Sequence, residues 1–462
     1  MKISDILNVT KGKLITGNKE FECENFSKDT RTIKKGDIYI GIKGEKFDGN
    51  QFWKQALYNG AEAVIVQDIE ITKNELEKYS SKTIIKVKDT LEALYEIARY
   101  KRSLYNIPVV AVTGSVGKTS TKDIIASVVS TKYKTLKTEG NNNNNIGLPF
   151  TILKLKDHEA MVIEMGMNHL GEISLLTSIA KPTLAVITNI GTSHIGNLGS
   201  RENILKAKLE ILEGMKTPKV IINNDNDLLH KWYEENKNKI EIHTFGILNK
   251  SEIVAQNINL KEESSEFIAV SNLNDKSEEK NKLKINVPVG GEHFVYNALC
   301  ATEVGRILGI SDENIKNGIE KFELTKKRMD IRKLQNGAIL INDAYNASYE
   351  SMKVSLEFLA KHTGTRKIAV LGDMFELGEY SEELHRNVGK EVVKNNIDIL
   401  ICAGENSKYI IEEAQKNPNV QTYFMNNNEQ IVENLSQKLR KGDVVLVKAS
   451  NGMKFFEICQ KL

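Results

Sequence analysis

The sequence has few cysteines, and their positions argue against two kinds of small-domain scaffold. They form no C-x-x-C pair and no cysteine–histidine metal pattern. A structural zinc site and a disulfide framework are therefore not expected, and we predict buried free thiols. The four cysteines are Cys23, Cys300, Cys402 and Cys459.

Long apolar runs and a charge excess of one sign are also missing. No stretch approaches about 18 uninterrupted apolar residues, and the N-terminal MKISDILNVTKG lacks the apolar core of a secretory signal. The 64 basic and 61 acidic side chains are mixed along the chain and leave a net charge of +3. This balance gives no electrostatic footprint for nucleic acid or a membrane surface. We expect a cytoplasmic monomer that binds no nucleic acid and does not insert into membranes.

What the sequence does contain is an alternation of short apolar runs and helical patterns. Residues 1–105 predict a small α/β domain, with strands at 37–42, 63–66 and 83–87 and helices at 51–59 and 90–103. In residues 106–322 the runs IPVVAVTG, AMVIEMG, TLAVITNIG and KVIINNDN alternate with helices. Such buried strands are typical of a doubly wound parallel sheet with helices on both faces.

The same alternation returns in the last third of the chain. After a helix predicted at 295–309, the runs AILINDAY, KIAVLGDM, DILICAGE and DVVLVKAS predict a Rossmann-like α/β domain in residues 323–462. The charged segment 261–284 is expected to be an exposed hairpin or loop. The predicted fold class is therefore α/β with three domains, the central one a P-loop ATPase-like parallel sheet.

A glycine-rich turn in VVAVTGSVGKTSTK follows a buried strand and precedes a helix. Its two glycines let backbone N–H groups turn towards phosphate oxygens, while Lys118 reaches the β/γ-phosphates and Thr119 can hold Mg²⁺. Val112 stands where the longer P-loop pattern has its first glycine, so this is a G-x-x-G-K-T variant. The predicted ATP site comprises Gly114, Ser115, Val116, Gly117, Lys118, Thr119 and Ser120.

Two polar residues follow neighbouring predicted strands at the edge that the P-loop shares. Glu164 ends AMVIEMG, where a carboxylate would face a nucleotide-bound Mg²⁺, and His194 comes just after TLAVITNI. An ordinary polar loop residue is the alternative for each. Because both residues are expected at the sheet edge that carries the P-loop, a functional role is favoured over that of an ordinary loop residue.

The helix predicted at 200–212 contains two lysines in different settings. Lys206 has Glu202 and Glu210 four residues away on either side, which predicts solvated ion pairs. Lys208 instead shares its face with the apolar residues of the helix and is predicted to point inward. It is either a snorkelling lysine at the edge of that face or a desolvated amine held neutral often enough to react.

Five consecutive asparagines stand in TEGNNNNNIGLPFTI, residues 138–152. Such tracts are usually polar and disordered, yet this one runs directly into an apolar segment. The residues alone leave open whether the run is filler or a binding loop.

Together these motifs resemble the Mur ligases, ATP-dependent amide-forming enzymes of peptidoglycan precursor synthesis. DTRTIKKGDIYIGIKGEKFDGNQF is similar to their uridine-nucleotide-binding domain and implies that Thr30 and Arg31 contact substrate. The asparagine run matches the family loop T-x-x-N-x-N-N-x-x-G-x-P, which makes it a substrate loop whose uncharged amides can bind a polar sugar-peptide. The matching residues are Thr138, Asn141, Asn143, Asn144, Gly147 and Pro149.

The resemblance also implies a metal centre with two Mg²⁺ ions. EMGMNHLGEI and TNIGTSHIGNLGS are similar to the family's magnesium segments, with Asn168 and His169 nearby. Lys208 corresponds to the lysine that takes up CO₂ and becomes a carbamate able to orient the second Mg²⁺. The implied metal ligands are Thr119, Glu164, His194 and the Lys208 carbamate, and the implied catalytic residues are Lys118, Glu164, His194 and Lys208.

Further roles are implied in the last third of the chain. Asn297 corresponds to an adenine-contacting position, with an ordinary helix-start asparagine as the alternative, and Arg328 and Asp343 lie on the ATP side. VKASNGMKF resembles a Lys-Gly-Ser-Arg motif. Ala449 replaces the glycine of this motif and Asn451 replaces its arginine, while Lys448 and Ser450 match its lysine and serine. The implied substrate-binding residues here are Tyr345, Asn346, Ser348 and Asp373.

Within the family, LGDMFELGEYSEELH is most similar to the members that join D-alanyl-D-alanine to UDP-N-acetylmuramoyl-tripeptide through an acyl phosphate. CAGENSKY lacks the Asp-Asn-Pro-Arg motif of the diaminopimelate-adding siblings. The alternatives are a tripeptide-forming sibling, a P-loop kinase or ATPase, and a non-catalytic nucleotide-sugar-binding protein. A kinase would account only for residues 107–210.

Overall fold

The structure is a computed structural model that describes residues 1–44, 47–272, 282–324 and 329–462. Three β-sheets, of five, nine and six strands, follow one another along the chain. Helices cover the sheets, so the predicted three-part α/β architecture is confirmed. Within the described ranges, no helix is long and apolar enough to cross a membrane.

The first sheet is built from short elements around a small core. Its elements are α1 (Ile3–Thr10), β1 (Lys13–Thr16), β2 (Phe26–Ser27), β3 (Ile38–Ile40), α2 (Trp53–Tyr58), β4 (Ala63–Val66), α3 (Lys73–Lys78), β5 (Thr83–Lys86) and α4 (Thr90–Ser103). The strand order is β1-β5-β4-β3-β2, with β1 antiparallel and the others parallel. The sequence reasoning missed α1 and α3, which are short and bury only two side chains and none, respectively.

The second sheet carries the P-loop strand third from one of its edges. Its elements are β6 (Val109–Thr113), α5 (Lys118–Val129), β7 (Thr135–Lys137), α6 (Gly147–Leu153), β8 (Ala160–Glu164), α7 (Glu172–Ala180), β9 (Leu184–Ile187), α8 (Ile195–Leu198), α9 (Arg201–Leu209), β10 (Lys219–Asn223), α10 (Asp227–Asn236), β11 (Glu241–Gly246), β12 (Ile253–Leu260), β13 (Ser265–Ser271), β14 (Lys282–Val287), α11 (Glu292–Ile307) and α12 (Asp312–Glu320). The strand order is β14-β13-β12-β11-β10-β9-β6-β8-β7.

Strands β6, β8 and β9 are buried throughout and largely apolar because helices cover both of their faces. They run parallel with β6 in the centre, so the segments that follow them emerge at one sheet edge. In an open α/β sheet this edge is where ligands bind. It collects the P-loop, Glu164 and the segment that leads to His194.

The predicted hairpin in 261–284 extends this sheet as the antiparallel strands β13 and β14. Alternate residues of β13 are buried, including Phe267 and Ala269. Residues 273–281 of the predicted hairpin lie outside the described residues.

The third sheet is parallel except for its first strand. Its elements are β15 (Asp330–Lys333), β16 (Ile339–Asn342), α13 (Tyr349–Lys361), β17 (Arg366–Gly372), α14 (Ser381–Lys394), β18 (Ile399–Ala403), α15 (Lys408–Ala414), β19 (Gln421–Met425), α16 (Asn428–Lys438), β20 (Asp443–Lys448) and α17 (Phe456–Lys461). The order β15-β16-β20-β17-β18-β19 makes β16 and β20 neighbours. Lys448 and the loop after Asn342 therefore reach the same edge. The domain limits at 105/106 and 322/323 stay predictions.

Candidate active site

A cavity of about 800 Å³ lies between the P-loop edge of the second sheet and the loop that follows β16. This volume suits a nucleotide-sized ligand. The cavity brings together residues predicted from motifs far apart in the sequence. The predicted residues that line it are Ser115, Val116, Gly117, Lys118, Thr119, Ser120, Asn141, Asn143, Asn144, Glu164, Asn168, His194, Asn297, Asp343, Tyr345, Asn346, Ser348 and Lys448.

Other predicted residues lie outside the cavity lining. Thr138 and Lys208 are buried, and Thr30 and Arg31 lie on the first sheet's domain, where Arg31 pairs with Asp29. Asp373 is also buried. Arg328 lies outside the described residues.

The glycine-rich loop has the backbone shape that its glycines allow. Gly114 and Gly117 have φ angles of +154° and +81°, a region that favours glycine. A Cβ atom on Gly114 would lie 1.9 Å from Thr188 Oγ1, so a larger residue cannot fit there. Lys118 Nζ donates hydrogen bonds to the carbonyl oxygens of Gly114 (2.8 Å) and Ser115 (3.3 Å).

Asn189 holds this loop from the segment after β9, and the sequence reasoning missed it. Its Oδ1 accepts hydrogen bonds from the backbone N–H groups of Ser115 (3.1 Å) and Val116 (2.9 Å). The sequence did contain a signal for this role, because Asn189 follows a predicted strand that ends at the same sheet edge as the P-loop. The N-terminus of α5 then presents its positive end to the cavity.

Glu164 connects the P-loop to the asparagine run. Thr119 Oγ1 donates a 2.8 Å hydrogen bond to Glu164 Oε2, and Asn143 Nδ2 donates a 2.7 Å bond to Oε1. Thr138 Oγ1 accepts the Glu164 backbone N–H at 3.0 Å. Asn144 Oδ1 accepts the Gly147 N–H at 2.8 Å, at the start of α6. The asparagine run is therefore a folded turn that holds a buried carboxylate.

Lys122 anchors the same turn from below and was not singled out from the sequence. Its side chain is 1% exposed and forms a 2.8 Å ion pair with Asp123. Its Nζ also donates a 2.8 Å hydrogen bond to the Thr138 carbonyl. Because a buried charge needs such partners, these contacts fix β7 and the turn against α5.

Lys208 points inward, as its position on the apolar face of the helix predicted, and is 2% exposed. Burial, and secondarily the charge of Lys118, lower the pKa of Lys208 well below its usual value. No hydrogen bond or ion pair to Lys208 Nζ occurs among the described residues. Burial therefore favours the neutral form of the amine, which is the form that can react.

The neighbouring ion-pair prediction is wrong for Glu210. The Glu210 oxygens turn inward and accept the backbone N–H groups of Gly171 (2.8 Å) and Ser174 (3.1 Å) at the start of α7. Lys206 is exposed. A helix-face pattern cannot reveal that an adjacent helix end competes for the carboxylate.

His194 lies where the second and third sheets' domains meet. It has a φ angle of +65° directly before α8, and its Nδ1 hydrogen-bonds the Glu376 carboxylate. This bond lowers the pKa of Glu376 below its usual value. Gly196 N–H donates to the Glu376 carbonyl at 3.0 Å, and Tyr380 Oη donates to the Gly199 carbonyl at 2.7 Å.

Glu350, on the first turn of α13, makes a second contact between these domains. Its Oε1 and Oε2 accept the Thr192 backbone N–H at 2.7 Å and the Thr192 hydroxyl at 3.1 Å. The sequence reasoning missed Glu350 because its partner comes from a different sheet. The pair closes one side of the cavity.

We expect Glu350→Ala to lower kcat/KM roughly tenfold because the third sheet's domain loses a docking contact next to the cavity. Steady-state kinetics and the melting temperature would be measured together. Lys353→Ala on the same helix is the matched control. An unchanged kcat/KM in Glu350→Ala would show that the Thr192 contact is dispensable.

The loop after β16 is held by the end of β20. Lys448 Nζ lies 2.5 Å from Asp343 Oδ2 and donates to the Asn346 carbonyl at 3.0 Å. Asn451 Nδ2 donates to the Tyr345 carbonyl at 3.0 Å. Asn451, which replaces the arginine of the Lys-Gly-Ser-Arg motif, therefore supports the loop. Ala449, which replaces the glycine, is fully buried.

Asp373 and Asn297 each hydrogen-bond a segment other than their own. Asp373 Oδ1 accepts the backbone N–H groups of Asn406 (3.1 Å) and Ser407 (2.7 Å), so this carboxylate supports the turn before α15. Asn297 is the sixth residue of α11, which excludes the helix-start alternative. Its Oδ1 accepts the Thr121 hydroxyl at 2.9 Å, and its buried Nδ2 has no partner among the described residues.

Family comparisons match almost the whole chain. Residues 24–102 match "Mur ligase family, catalytic domain", residues 112–305 match "Mur ligase middle domain", and residues 327–451 match "Mur ligase, glutamate ligase domain". A UDP-N-acetylmuramoyl-tripeptide--D-alanyl-D-alanine ligase of Bacillus subtilis is 36% identical over 100% of this chain and 98% of its own. The chain belongs to the Mur ligase family.

Other Mur ligases of the same name are also similar to this chain over most of its length. The Escherichia coli protein is 32% identical over 88% of this chain and 86% of its own. Among solved structures, MurF from Acinetobacter baumannii has a TM-score of 0.88 and 28% identity, covering 100% of this chain and 98% of its own. MurF from Thermotoga maritima in complex with ADP has a TM-score of 0.80 and 28% identity, covering 95% and 96%. The predicted family is confirmed.

Proposed function

We propose that this Mur ligase joins D-alanyl-D-alanine to UDP-N-acetylmuramoyl-tripeptide with conversion of ATP to ADP and phosphate. The relatives named for this reaction match the chain over nearly its whole length. The observation that carries the proposal is the cavity in which the P-loop, Glu164 and the loop after β16 meet. Since the reaction draws on ATP and a nucleotide-sugar, we infer a cytoplasmic enzyme, and we expect it to act as a monomer.

ATP is expected to bind with its phosphates against the glycine-rich loop. Lys118 neutralises charge on the β/γ-phosphates, and the start of α5 adds the helix dipole. The Asn297 Nδ2 group, which is buried and has no partner among the described residues, is suited to donate a hydrogen bond to an adenine ring. Asp343, tied to Lys448, lines the same cavity on the other side. Arg328 remains an expectation from the family pattern.

The donor set fits magnesium. Thr119 and Glu164 offer hydroxyl and carboxylate oxygens, which Mg²⁺ prefers, and their 2.8 Å hydrogen bond shows that both point to one place. His194 lines the same cavity. Bound Mg²⁺ would neutralise charge on the transferring phosphoryl group.

Lys208 fits the role of a carbamylated ligand for a second Mg²⁺. Formation of a carbamate requires a neutral amine that attacks CO₂, and burial lowers the pKa of Lys208 in the direction that favours this neutral form. The change turns a buried amine next to Lys118 into an anion. An anion suits both that neighbouring charge and a metal ion.

The asparagine turn and the closing loop would bind the sugar-peptide. Asn141, Asn143 and Asn144 line the cavity with uncharged amides, and Tyr345, Asn346 and Ser348 face them from the third sheet's domain. Thr30 and Arg31 would contact the uridine nucleotide on the first sheet's domain. Asp373 would act indirectly, through the turn it supports.

The reaction needs the tripeptide carboxylate to attack the γ-phosphorus of ATP, which breaks the β–γ phosphoanhydride bond and releases ADP. The amine of D-alanyl-D-alanine then attacks the acyl phosphate carbonyl, loses a proton and expels phosphate. Lys118 stabilises charge during the first step. The contacts at Glu350 and Glu376 close the cavity against water, which would otherwise hydrolyse the acyl phosphate.

Substrate competition tests the choice of reaction. UDP-N-acetylmuramoyl-tripeptide and the corresponding dipeptide would be offered together, with D-alanyl-D-alanine and a free third-position amino acid as amines. We expect only the tripeptide and D-alanyl-D-alanine to be joined. Preferential use of the dipeptide with a free amino acid would assign the chain to the tripeptide-forming step instead.

A further inference from the structure

A cluster of one histidine and three glutamates lies beside the adjacent strands β11 and β12 of the second sheet. His243 Nδ1 is 2.8 Å from Glu252 Oε2 and 3.1 Å from Glu303 Oε1. On the other side of the ring, Nε2 is 3.1 Å from Glu241 Oε1. His243 and Glu241 come from β11, Glu252 directly precedes β12 and Glu303 comes from α11. The cluster therefore joins a helix to two strands.

The most buried member of this cluster is incompletely satisfied. Glu303 is 1% exposed, and its Oε2 has no hydrogen-bond partner in the described part of the chain. A buried carboxylate oxygen without a partner is costly. Its other oxygen faces His243 Nδ1, so the carboxylate is directed into the cluster.

The charges of the cluster do not balance. Lys219 Nζ, 2.6 Å from Glu241 Oε1, offsets one of the three carboxylates. The other two face a single imidazole ring, so one negative charge stays unbalanced even when both ring nitrogens carry hydrogens. A divalent cation between them would balance this charge and occupy the free lone pair of Glu303.

We propose that His243 Nδ1, Glu252 and Glu303 bind a divalent transition-metal ion of the Zn²⁺ class, with Glu241 positioning the histidine through its Nε2–H group. Their donor atoms lie within 4.8 Å of one another. Imidazole nitrogen and carboxylate oxygen together suit Zn²⁺. A metal-binding histidine ordinarily donates its second N–H to a carboxylate, which is the arrangement at Glu241.

The consequence of this site is structural. The metal would fasten the middle of α11 to β11 and the start of β12. The same helix carries Asn297, which lines the active-site cavity. The site is built from residues to which we assign no part in ligation, so it does not depend on the proposed function.

Metal binding must displace a proton. Without a metal, Nδ1 lies within hydrogen-bond distance of the Glu252 and Glu303 carboxylates, and Nε2 lies within that distance of Glu241; because an ionised carboxylate can only accept a hydrogen bond, both ring nitrogens carry hydrogens. A metal ion on Nδ1 replaces one of them. Binding of Zn²⁺ near neutral pH should therefore release about one proton per chain.

Zinc uptake by the chelator-treated protein tests the proposal. Wild type, Glu303→Gln and Glu252→Gln would be dialysed against Zn²⁺ in excess Mg²⁺, with His230→Gln as the matched control. His230 is a partly exposed histidine whose ring contacts an amide rather than a carboxylate. Wild type and His230→Gln should retain one more Zn²⁺ per chain than the two glutamine variants. Zn²⁺ should raise the melting temperature only where that ion is retained.

Calorimetry of wild type in buffers of different ionisation enthalpy would measure the proton released. Should Glu303→Gln fail to fold, Glu252→Gln still decides, because the Glu252 side chain is 30% exposed and better tolerates the change. Equal zinc content in all four proteins would overturn the proposal. Binding without proton release would also contradict it, since Nδ1 would then not be a ligand.

Discussion

Replacing Lys208 with alanine is expected to lower ligation by roughly three orders of magnitude or more, because a metal-orienting group is lost. The buried amine has no acidic partner among the described residues, and burial lowers its pKa. An ordinary structural lysine would not be left in this state. The measurement is ADP release and product formation at saturating substrates.

Lys206→Ala is the matched control, since Lys206 lies on the same helix, two residues away, and is exposed. It should retain wild-type activity. A short carboxylate such as acetate or formate, added to Lys208→Ala, should restore part of the lost rate by supplying the missing anion. Full activity of Lys208→Ala without such addition would remove Lys208 from the mechanism.

The carbamate itself makes a separate prediction. Wild type freed of CO₂ should lose activity and regain it when bicarbonate is added, while Lys208→Ala with acetate should respond to neither treatment. Equal activity of wild type with and without CO₂ would contradict carbamylation, although Lys208 could still be required as an amine.

Glu164→Gln is expected to reduce ligation by about two to three orders of magnitude, because the cavity loses the anionic ligand for magnesium. The amide is nearly the same size as the carboxylate, so Thr119 and Asn143 should keep their places. We expect Mg²⁺ to strengthen ADP binding to wild type, and this gain should disappear in Glu164→Gln. Binding of ADP in the absence of Mg²⁺ should change little.

The control for this variant is Glu159→Gln. Glu159 directly precedes the same strand but is exposed, and its carboxylate accepts the Lys134 backbone N–H outside the cavity. Its substitution should leave both activity and the effect of Mg²⁺ unchanged. If Glu164→Gln also retained the Mg²⁺ effect, the metal would have to bind elsewhere.

The parts of the fold and site predicted from the sequence are those encoded in local patterns. Strands buried on both faces read as continuous apolar runs, which located β6, β8 and β9 and hence the sheet edge. The periodicity of α9 placed Lys208 inside. The P-loop was recognisable because a strand, a turn and a helix are contiguous in the chain.

Contacts between distant segments could not be predicted in this way. Glu350 and Glu376 meet their partners only when the second and third sheets' domains come together, and no local pattern records that. Glu210 was assigned to a surface pair because its real partners, two backbone N–H groups of α7, lie outside its own helix. For Asp373, the motif gave the position but not the direction of the side chain.

The most direct test of this account is ADP release from Mg-ATP and UDP-N-acetylmuramoyl-tripeptide, measured with and without D-alanyl-D-alanine. We predict rapid release only when both the tripeptide and D-alanyl-D-alanine are present, with one new amide bond formed per ADP. Release at the same rate without the amine, and without a ligated product, would identify an ATPase or kinase and contradict the proposed ligation.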